Sequence, residues 1–203
     1  MARPRKVTDE QILMAAMRAM TRLGPGELTL AEIADEAGVT AGALVQRYGS
    51  KRELLLALAA AGADGADDFI GQLAARHRSP LAALREYAEC MAHLAESPAA
   101  LARNLAYLQI DLTDEDFRAH LLKQARGARR GVQGLLESAV RAGELRRTTD
   151  VAMLSRNIEI VLSGALLTWA TYREGTPARW IRSAVDVAIA PYLMRKRTDR
   201  GSS

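Results

Sequence analysis

The sequence predicts an all-α fold, and three observations lead to this prediction. Hydrophobic residues make up 49% of the 203 residues but aromatic residues only 4%, so the apolar content consists mainly of Ala and Leu, which favour helices. Runs of β-branched and aromatic residues, which are typical of strands, are scarce. Apolar side chains recur at helical spacing between residues that cap helices.

The composition also bounds the location and the partners of the chain. The single cysteine, Cys90, excludes an intrachain disulfide framework and fits a reducing cytoplasm. No signal-peptide core follows the basic start, and no uninterrupted apolar run reaches membrane-spanning length. We therefore expect a cytoplasmic protein with no membrane partner. The net charge of +4 permits a nucleic-acid partner without requiring one.

The first 60 residues contain several closely spaced helix starts. Each is marked by a residue whose side chain accepts from a free backbone N–H, and these are Thr8, Thr29, Thr40 and Ser50. Gly24-Pro25-Gly26 ends the first helix. The second and third helices are joined only by Ala37-Gly38-Val39-Thr40. Two short helices joined by a glycine-containing turn are typical of a helix-turn-helix, so this region predicts DNA binding.

The second helix of such a pair presents its N-terminal side chains to the major groove. We expect the DNA contacts to come from this helix and from the starts of its neighbours: Thr29, Thr40, Ala41, Gly42, Ala43, Gln46, Arg47, Tyr48 and Lys51. Gln46 can pair with adenine, and Arg47 with guanine or a phosphate. Gly42 would let the backbone approach closely. The alternative is an ordinary polar helix surface.

The chain is predicted to divide into four segments. Residues 1–7 form a disordered basic arm, 8–52 the helix-turn-helix domain, 53–196 a ligand-binding and dimerisation domain, and 197–203 a disordered tail. Arg3, Arg5 and Lys6 in the arm are either DNA contacts, in the minor groove or on phosphates, or parts of a solubilising tail.

Residues Leu28–Leu58, which read LTLAEIADEAGVTAGALVQRYGSKRELLLAL, resemble the N-terminal domain of TetR-type repressors. Val45 stands where that family usually has a tyrosine that touches a phosphate. The resemblance implies about nine helices in all and a dimer whose last two helices form a four-helix interface. It also implies a small-molecule pocket in the body, whose occupation changes the spacing of the two DNA-binding heads.

Two sets of body residues are candidates for these roles. Apolar residues with a few polar neighbours would line the effector pocket, although core packing is the alternative for each: Tyr87, Met91, Tyr107, Leu108, Asn157 and Trp169. The last two helices are apolar over so broad an arc that they need two burial surfaces. The second surface would be the partner subunit, and a monomer with a larger core is the alternative. The candidate interface residues are Ile158, Val161, Leu162, Ala165, Trp180, Ala184, Val185 and Ala188.

The predicted function is that of a ligand-responsive regulator, a repressor that binds a pseudo-palindromic double-stranded DNA operator as a homodimer and is released by a small molecule. We expect no cofactor and no metal. An enzyme on a helical body is one alternative, but Cys90 and His93 have no further ligands or third member at recognisable spacing. A helical module whose head binds protein is the other, and it predicts DNA association that is largely insensitive to salt.

Overall fold

The protein is helical throughout the residues that the structure describes. The computed structural model describes residues 7–194. Nine α-helices lie within this range: α1 (Asp9–Arg22), α2 (Leu30–Ala37), α3 (Ala41–Tyr48), α4 (Lys51–Arg76), α5 (Pro80–Met91), α6 (Pro98–Thr113), α7 (Glu115–Arg141), α8 (Val151–Tyr172) and α9 (Pro177–Ile189). Within 7–194 the only β-type pairing is one isolated bridge, between Leu145 and Leu193. The all-α prediction is confirmed.

The predicted caps form at the starts of the first four helices. Thr8 accepts a hydrogen bond from the backbone N–H of Gln11, whose side chain accepts from the N–H of Thr8 in return. Thr29, Thr40 and Ser50 each accept from the backbone N–H three residues further on. Each such cap stabilises its helix by about 1 kcal/mol. The short helices therefore begin where the sequence predicts.

The turn between α2 and α3 depends on one glycine. Gly38 has a φ of 68° and a ψ of 35°, a left-handed conformation that side chains with a Cβ rarely adopt. Its N–H donates to the carbonyl of Ala34, and the N–H of Val39 donates to the same carbonyl. This conformation turns the chain sharply enough for α3 to begin immediately afterwards.

The described chain forms two compact units. The first contains residues 7–66 and 94–127, and therefore α1, α2, α3, the start of α4, α6 and the start of α7. It is larger than the predicted helix-turn-helix domain, because it includes all of α6. The predicted domain boundary after residue 52 divides the chain differently and stays a prediction.

One hydrophobic core holds the helix-turn-helix together within the first unit. Its buried members come from α1, the turn before α2, α2, α3, the start of α4 and one position of α6: Ile12, Ala16, Ala19, Leu28, Ile33, Ala34, Leu44, Leu54 and Tyr107. Burying a side chain of the size of Leu or Ile stabilises the fold by roughly 1.5–3 kcal/mol. This core, hereafter the head core, fixes the orientation of α3.

The second unit contains residues 67–93 and 128–194, with the end of α4, α5, the end of α7, α8 and α9. Its interior is aliphatic, and Leu154, Ile158, Ile181 and Val185 are fully buried there. At its surface Arg85 binds Asp186 at 2.7 Å, which joins α5 to α9. Because exposed ion pairs contribute little, the aliphatic interior provides most of the stability of this unit.

The last helix is shorter than its sequence pattern predicts. Its apolar spacing predicts a helix over roughly 177–195, but α9 ends at Ile189 and a 3-10 turn follows over Ala190–Tyr192. Pro191 has no N–H to continue the helical bonding pattern. The backbone N–H of Arg146 instead donates to the carbonyl of Tyr192, which holds the end of the described chain against another turn. The stretch 62–68, which consists of Gly, Ala and Asp, lies inside the continuous helix α4.

Helices α4 and α7 approach closely in the second unit at Ile70 and Gly131. A Cβ built on Gly131 would lie 2.8 Å from Ile70 Cδ1 and 2.9 Å from Ile70 Cβ, which is closer than carbon atoms pack. Ile70 is buried. The contact therefore requires a residue without a side chain at position 131.

We predict that Gly131→Ala lowers the free energy of unfolding by about 1–3 kcal/mol, because the new methyl group must displace Ile70 or its helix. Gly134→Ala is the matched control, since a Cβ there meets nothing within 4 Å. That control should be neutral or stabilise by up to about 1 kcal/mol, since Ala favours helix over Gly. Urea unfolding measures both changes. Equal effects of the two variants would contradict the proposed packing constraint.

Candidate nucleic-acid interface

Helix α3 has one buried residue, Leu44, and exposes most of its remaining surface. Thr40, Gly42, Ala43 and Gln46 are exposed. The first turn carries no bulky side chain, so a ligand can approach its backbone closely. The predicted base-reading residue Gln46 thus lies on the surface of a helix that a single leucine anchors in the head core.

The other predicted base contact, Arg47, already has partners within the head. Its Nε lies 2.7 Å from Asp9 Oδ1, and its Nη1 donates to the carbonyl of Val7 at 2.8 Å. The hydroxyl of Tyr48 also donates to Asp9 Oδ1 at 2.7 Å. Burial, together with the bond to Asp9, raises the pKa of Tyr48 to about 12. The end of α3 is therefore tied to the start of α1, and within residues 7–194 Nη2 of Arg47 has no hydrogen-bond partner.

Thr29 and Lys51 lie at the starts of α2 and α4 as predicted, but their side chains differ in availability. Thr29 is exposed while it caps α2 through the N–H of Glu32. The ammonium of Lys51 instead donates to the carbonyl of Leu28 at 2.7 Å and to that of Pro25 at 3.3 Å. The predicted phosphate contact of Lys51 would therefore rely on its position at a helix N-terminus rather than on a free ammonium.

The predicted contacts Arg3, Arg5 and Lys6 lie outside the described residues. Ala41 is half-buried against the head core and Gly42 is open on its Cβ side, with only Thr40 Oγ1 near, at 3.9 Å. The predicted DNA contacts that the structure describes therefore all lie at the start of α2, along α3 or at the start of α4.

A cluster around Arg52 connects the start of α4 to the turn between α6 and α7. Its Nη2 donates to both carboxylate oxygens of Asp114 at 2.9 Å and to Asp116 at 2.8 Å, and its guanidinium lies 5.6 Å from the Phe117 ring centroid. The hydrogen bond from Arg52 lowers the pKa of Asp114. No local signal in the sequence predicts this cluster, because Arg52 lies more than 60 residues before its partners Asp114 and Asp116.

Helix α6 also reaches the end of α1. The hydroxyl of Tyr107 donates to the carbonyl of Leu23 at 3.0 Å, and Nε of Arg103 donates to the carbonyl of Thr21 at 3.1 Å. Tyr107 is buried as a member of the head core. Tyr107 thus contributes to the head core, and its role as a pocket residue stays a prediction.

The six predicted effector residues are distributed over both units. Tyr107 and Leu108 belong to the first unit, whereas Tyr87, Met91, Asn157 and Trp169 belong to the second. Tyr87 and Trp169 are buried, and Asn157 is exposed on α8. A surface depression of about 400 Å³ on α9 and another of about 570 Å³ along α1 and α2 contain none of the six residues.

The predicted dimer residues divide into two groups by exposure. Ile158, Ala165 and Val185 are buried within the chain's own core. The other five remain half-buried: Val161, Leu162, Trp180, Ala184 and Ala188. The apolar side chains with most exposed surface on these helices are not among the predicted residues; they are Met153 (47% exposed), Ile160 (69%), Leu167 (54%), Tyr172 (65%) and Val187 (72%). The first three recur every seven residues on α8, which is the signal that a search for a second helix face would have used.

Known proteins match the chain in both sequence and structure. The family model described as bacterial regulatory proteins, tetR family, matches residues 12–58, and the tetracyclin repressor-like C-terminal domain matches residues 104–185. The probable HTH-type transcriptional regulator ArpR of Pseudomonas putida is 24% identical over 205 residues, which cover 93% of this chain and 95% of that protein.

Among solved structures, a TetR transcription regulator from Haloarcula marismortui has a TM-score of 0.71 at 20% identity, covering 92% of this chain and 98% of its own. The regulator FadR from Bacillus subtilis, solved in complex with stearoyl-CoA, has a TM-score of 0.67 at 18% identity, covering 90% and 98%. These likenesses show the fold. The matched proteins are transcriptional regulators and not enzymes.

One carboxylate of the first unit stands apart from the ion pairs described above. Asp111, in the last turn of α6, is half-buried, and the described residues offer it no hydrogen bond or ion pair. Burial raises the pKa of Asp111 above its ordinary value of 3.8. A negative charge at the C-terminal end of a helix is also unfavourable for the helix dipole. The ionised carboxylate therefore costs stability in this position.

We predict that Asp111→Asn stabilises the protein near neutral pH. Because the pKa of Asp111 is higher in the folded than in the unfolded protein, its unfavourable effect is absent below pH 3.8 and develops as the pH rises through the folded pKa. The gain of the variant should therefore disappear at acid pH. Urea unfolding at neutral pH and below pH 3.8 measures the difference in the free energy of unfolding between the variant and the wild type. Asp114→Asn is the control of opposite sign, since Arg52 stabilises that charge; a loss of stability in Asp111→Asn at neutral pH would refute the argument.

Proposed function

Because the chain belongs to the TetR family of bacterial regulatory proteins, we propose that it is a cytoplasmic repressor that binds a pseudo-palindromic operator as a homodimer and is released by a small molecule. The observation that carries the proposal is the exposed surface of α3, anchored by Leu44 in the head core. A two-fold dimer would place two such helices in successive major grooves.

The proposed roles of the head residues follow from their partners. Gln46 is exposed and reads a base edge, for which its amide has both a donor and an acceptor. Thr40 and Thr29 contact phosphates beside the N-terminal N–H groups of their helices. Arg47 offers Nη2 to a phosphate while its other donors hold Asp9 and Val7.

The remaining proposed contacts surround this helix. Ala41, Gly42 and Ala43 let the backbone of α3 approach the duplex. Lys51 contributes a phosphate contact through its position at the N-terminus of α4. The basic residues Arg3, Arg5 and Lys6 add phosphate or minor-groove contacts and increase the salt dependence of binding.

The proposed effector is a largely apolar small molecule. FadR from Bacillus subtilis binds stearoyl-CoA, so this fold can accept a ligand with a long acyl chain. Within the second unit we retain Tyr87, Met91 and Trp169 as candidate pocket residues, since they are aromatic or flexible apolar side chains. Leu108 is the candidate of the first unit, and Asn157, being exposed, is the weakest candidate of the set.

The proposed dimer surface is the exposed apolar stripe on α8 with Val187 on α9. Met153, Ile160 and Leu167 recur every seven residues, so they lie on one side of α8. Five half-buried residues of the same two helices would lose their remaining exposure on association. They are Val161 and Leu162 on α8 and Trp180, Ala184 and Ala188 on α9. Ile158, Ala165 and Val185 would support this surface from inside.

We predict that Gln46→Ala weakens operator binding by roughly 5- to 150-fold without changing thermal stability, since a bidentate base contact contributes about 1–3 kcal/mol. Gln72→Ala, the same change at an exposed position of α4, is the control and should bind as the wild type does. The probe is a palindromic duplex selected from genomic fragments by the wild-type protein, and fluorescence anisotropy at several salt concentrations measures binding.

Arg47→Ala should differ from Gln46→Ala in one respect. It removes the bonds to Asp9 and Val7, so it should lower the melting temperature as well as the affinity. If the wild-type protein binds no duplex, or binds with little dependence on salt, the head does not read an operator and a protein-binding module becomes the better explanation.

The proposed dimer surface can be tested at Ile160. Ile160→Asp should raise the dimer dissociation constant by at least about two orders of magnitude, because an unpaired carboxylate buried in an interface costs several kcal/mol. Leu112→Asp, at a 57% exposed leucine of α6, is the matched control and should remain dimeric. Sedimentation velocity measures the mass. An Ile160→Asp protein that sediments as a dimer would place the interface elsewhere.

A further inference from the structure

The outer surface of α3 carries few groups that can hydrogen-bond to a base. Its first three residues, at positions 41–43, are Ala, Gly and Ala and have no polar side chain. At its end Arg47 and Tyr48 bind Asp9. Gln46 is exposed, and its amide can read one base pair. Further direct readout by this helix must therefore come from its apolar surface.

Val45 places an apolar side chain on this surface. Within α3, all of which the structure describes, it is the only large apolar residue that is exposed, with 48% of its surface accessible. It precedes Gln46 by one residue, so the two side chains leave the helix about 100° apart. From a helix that lies in the major groove, two such side chains can contact neighbouring base pairs.

The neighbours of Val45 along the helix leave its side chain unshielded. On a helix surface, the residues three and four positions away lie beside a given side chain. Four residues take these places beside Val45: Ala41, Gly42, Tyr48 and Gly49. A Cβ built on Gly49 would meet nothing within 4 Å, and one built on Gly42 would have its nearest contact at 3.9 Å. A base edge can therefore reach Val45 past either glycine without displacing a neighbouring side chain.

The chemistry of valine limits what this side chain can recognise. An isopropyl group forms no hydrogen bond with a phosphate or with the polar part of a base edge. The apolar group that bases present in the major groove is the C5-methyl of thymine. Valine is stiff about χ1, so little side-chain freedom is lost when it packs against such a methyl group. The contact removes apolar surface of both partners from water.

We propose that Val45 is a specificity-determining residue that packs against the C5-methyl group of a thymine, in a base pair next to the one that Gln46 reads. The inference rests on the proposed function, since it assumes that α3 enters the major groove of an operator. It defines the chemistry of the half-site further, because each half-site must then contain a thymine whose methyl group contributes to affinity.

The test is a set of duplexes that differ by single methyl groups. The parent is a palindromic duplex selected from genomic fragments by the wild-type protein. Each thymine is replaced in turn, in both half-sites, by deoxyuridine, which keeps the hydrogen-bonding groups and lacks only the methyl. Fluorescence anisotropy measures the Kd of each duplex. At one thymine of the half-site the replacement should raise the wild-type Kd about 15-fold, since one buried methyl group contributes about fourfold in each half-site.

Val45→Ala removes the proposed partner of that methyl group. For this variant the change from thymine to deoxyuridine at the same position should alter the Kd by less than about twofold, because the two groups act as a contacting pair. The variant should fold, since Val45 is exposed and Ala favours helix over Val. Val151→Ala, the same change in the second unit, is the matched control and should keep the full response to the methyl group.

The outcomes separate the two proposals. If the wild-type protein binds every deoxyuridine duplex as tightly as the parent, or if Val45→Ala keeps the full response, Val45 contacts no thymine and the inference is overturned. Selected half-sites that contain no thymine overturn it as well. If the wild-type protein binds no duplex, the proposed function fails instead. A methyl response in the wild type that disappears in Val45→Ala supports the inference.

Discussion

The shortness of α2 and α3 is the constraint on which the DNA-reading surface depends. Helices of eight residues are not stable alone in water, because the unfavourable free energy of helix nucleation exceeds the stabilisation by so few hydrogen bonds. Their shape must therefore come from packing and from caps. In α3 a single buried side chain, Leu44, and the cap at Thr40 meet this need, which leaves the rest of the helix surface for a ligand.

The same constraint explains why the head extends beyond its own sequence. A core built from short helices rich in alanine offers little apolar area, and the aromatic ring of Tyr107 adds the largest single contribution to it. Lys51 and Arg103 contribute differently, by satisfying carbonyls that a short connecting turn leaves without partners. The helix-turn-helix is therefore part of a larger packed unit that includes α6.

The features that sequence predicted well are local. A cap such as Thr8 with Gln11 involves neighbours along the chain. The left-handed turn at Gly38 depends on a single residue, because glycine adopts this conformation readily. The features that it missed join distant residues. Arg47 has the chemistry to bind either DNA or a carboxylate, and only the fold brings Asp9 to it. The family resemblance supplied the architecture, but it could not say that Tyr107 packs into the head core.

Helix α8 shows how far composition alone can mislead. By length and hydropathy it could cross a membrane. Its buried side chains, however, follow helical spacing against the second unit, and Glu159 binds Arg129 at 2.6 Å beside the exposed residue Ile160. A charged pair at that level would be costly in lipid, whereas it suits the polar rim of a protein interface. In the proposed dimer a second copy of the chain would cover this stripe, and such an association explains the apolarity of α8 better than insertion does.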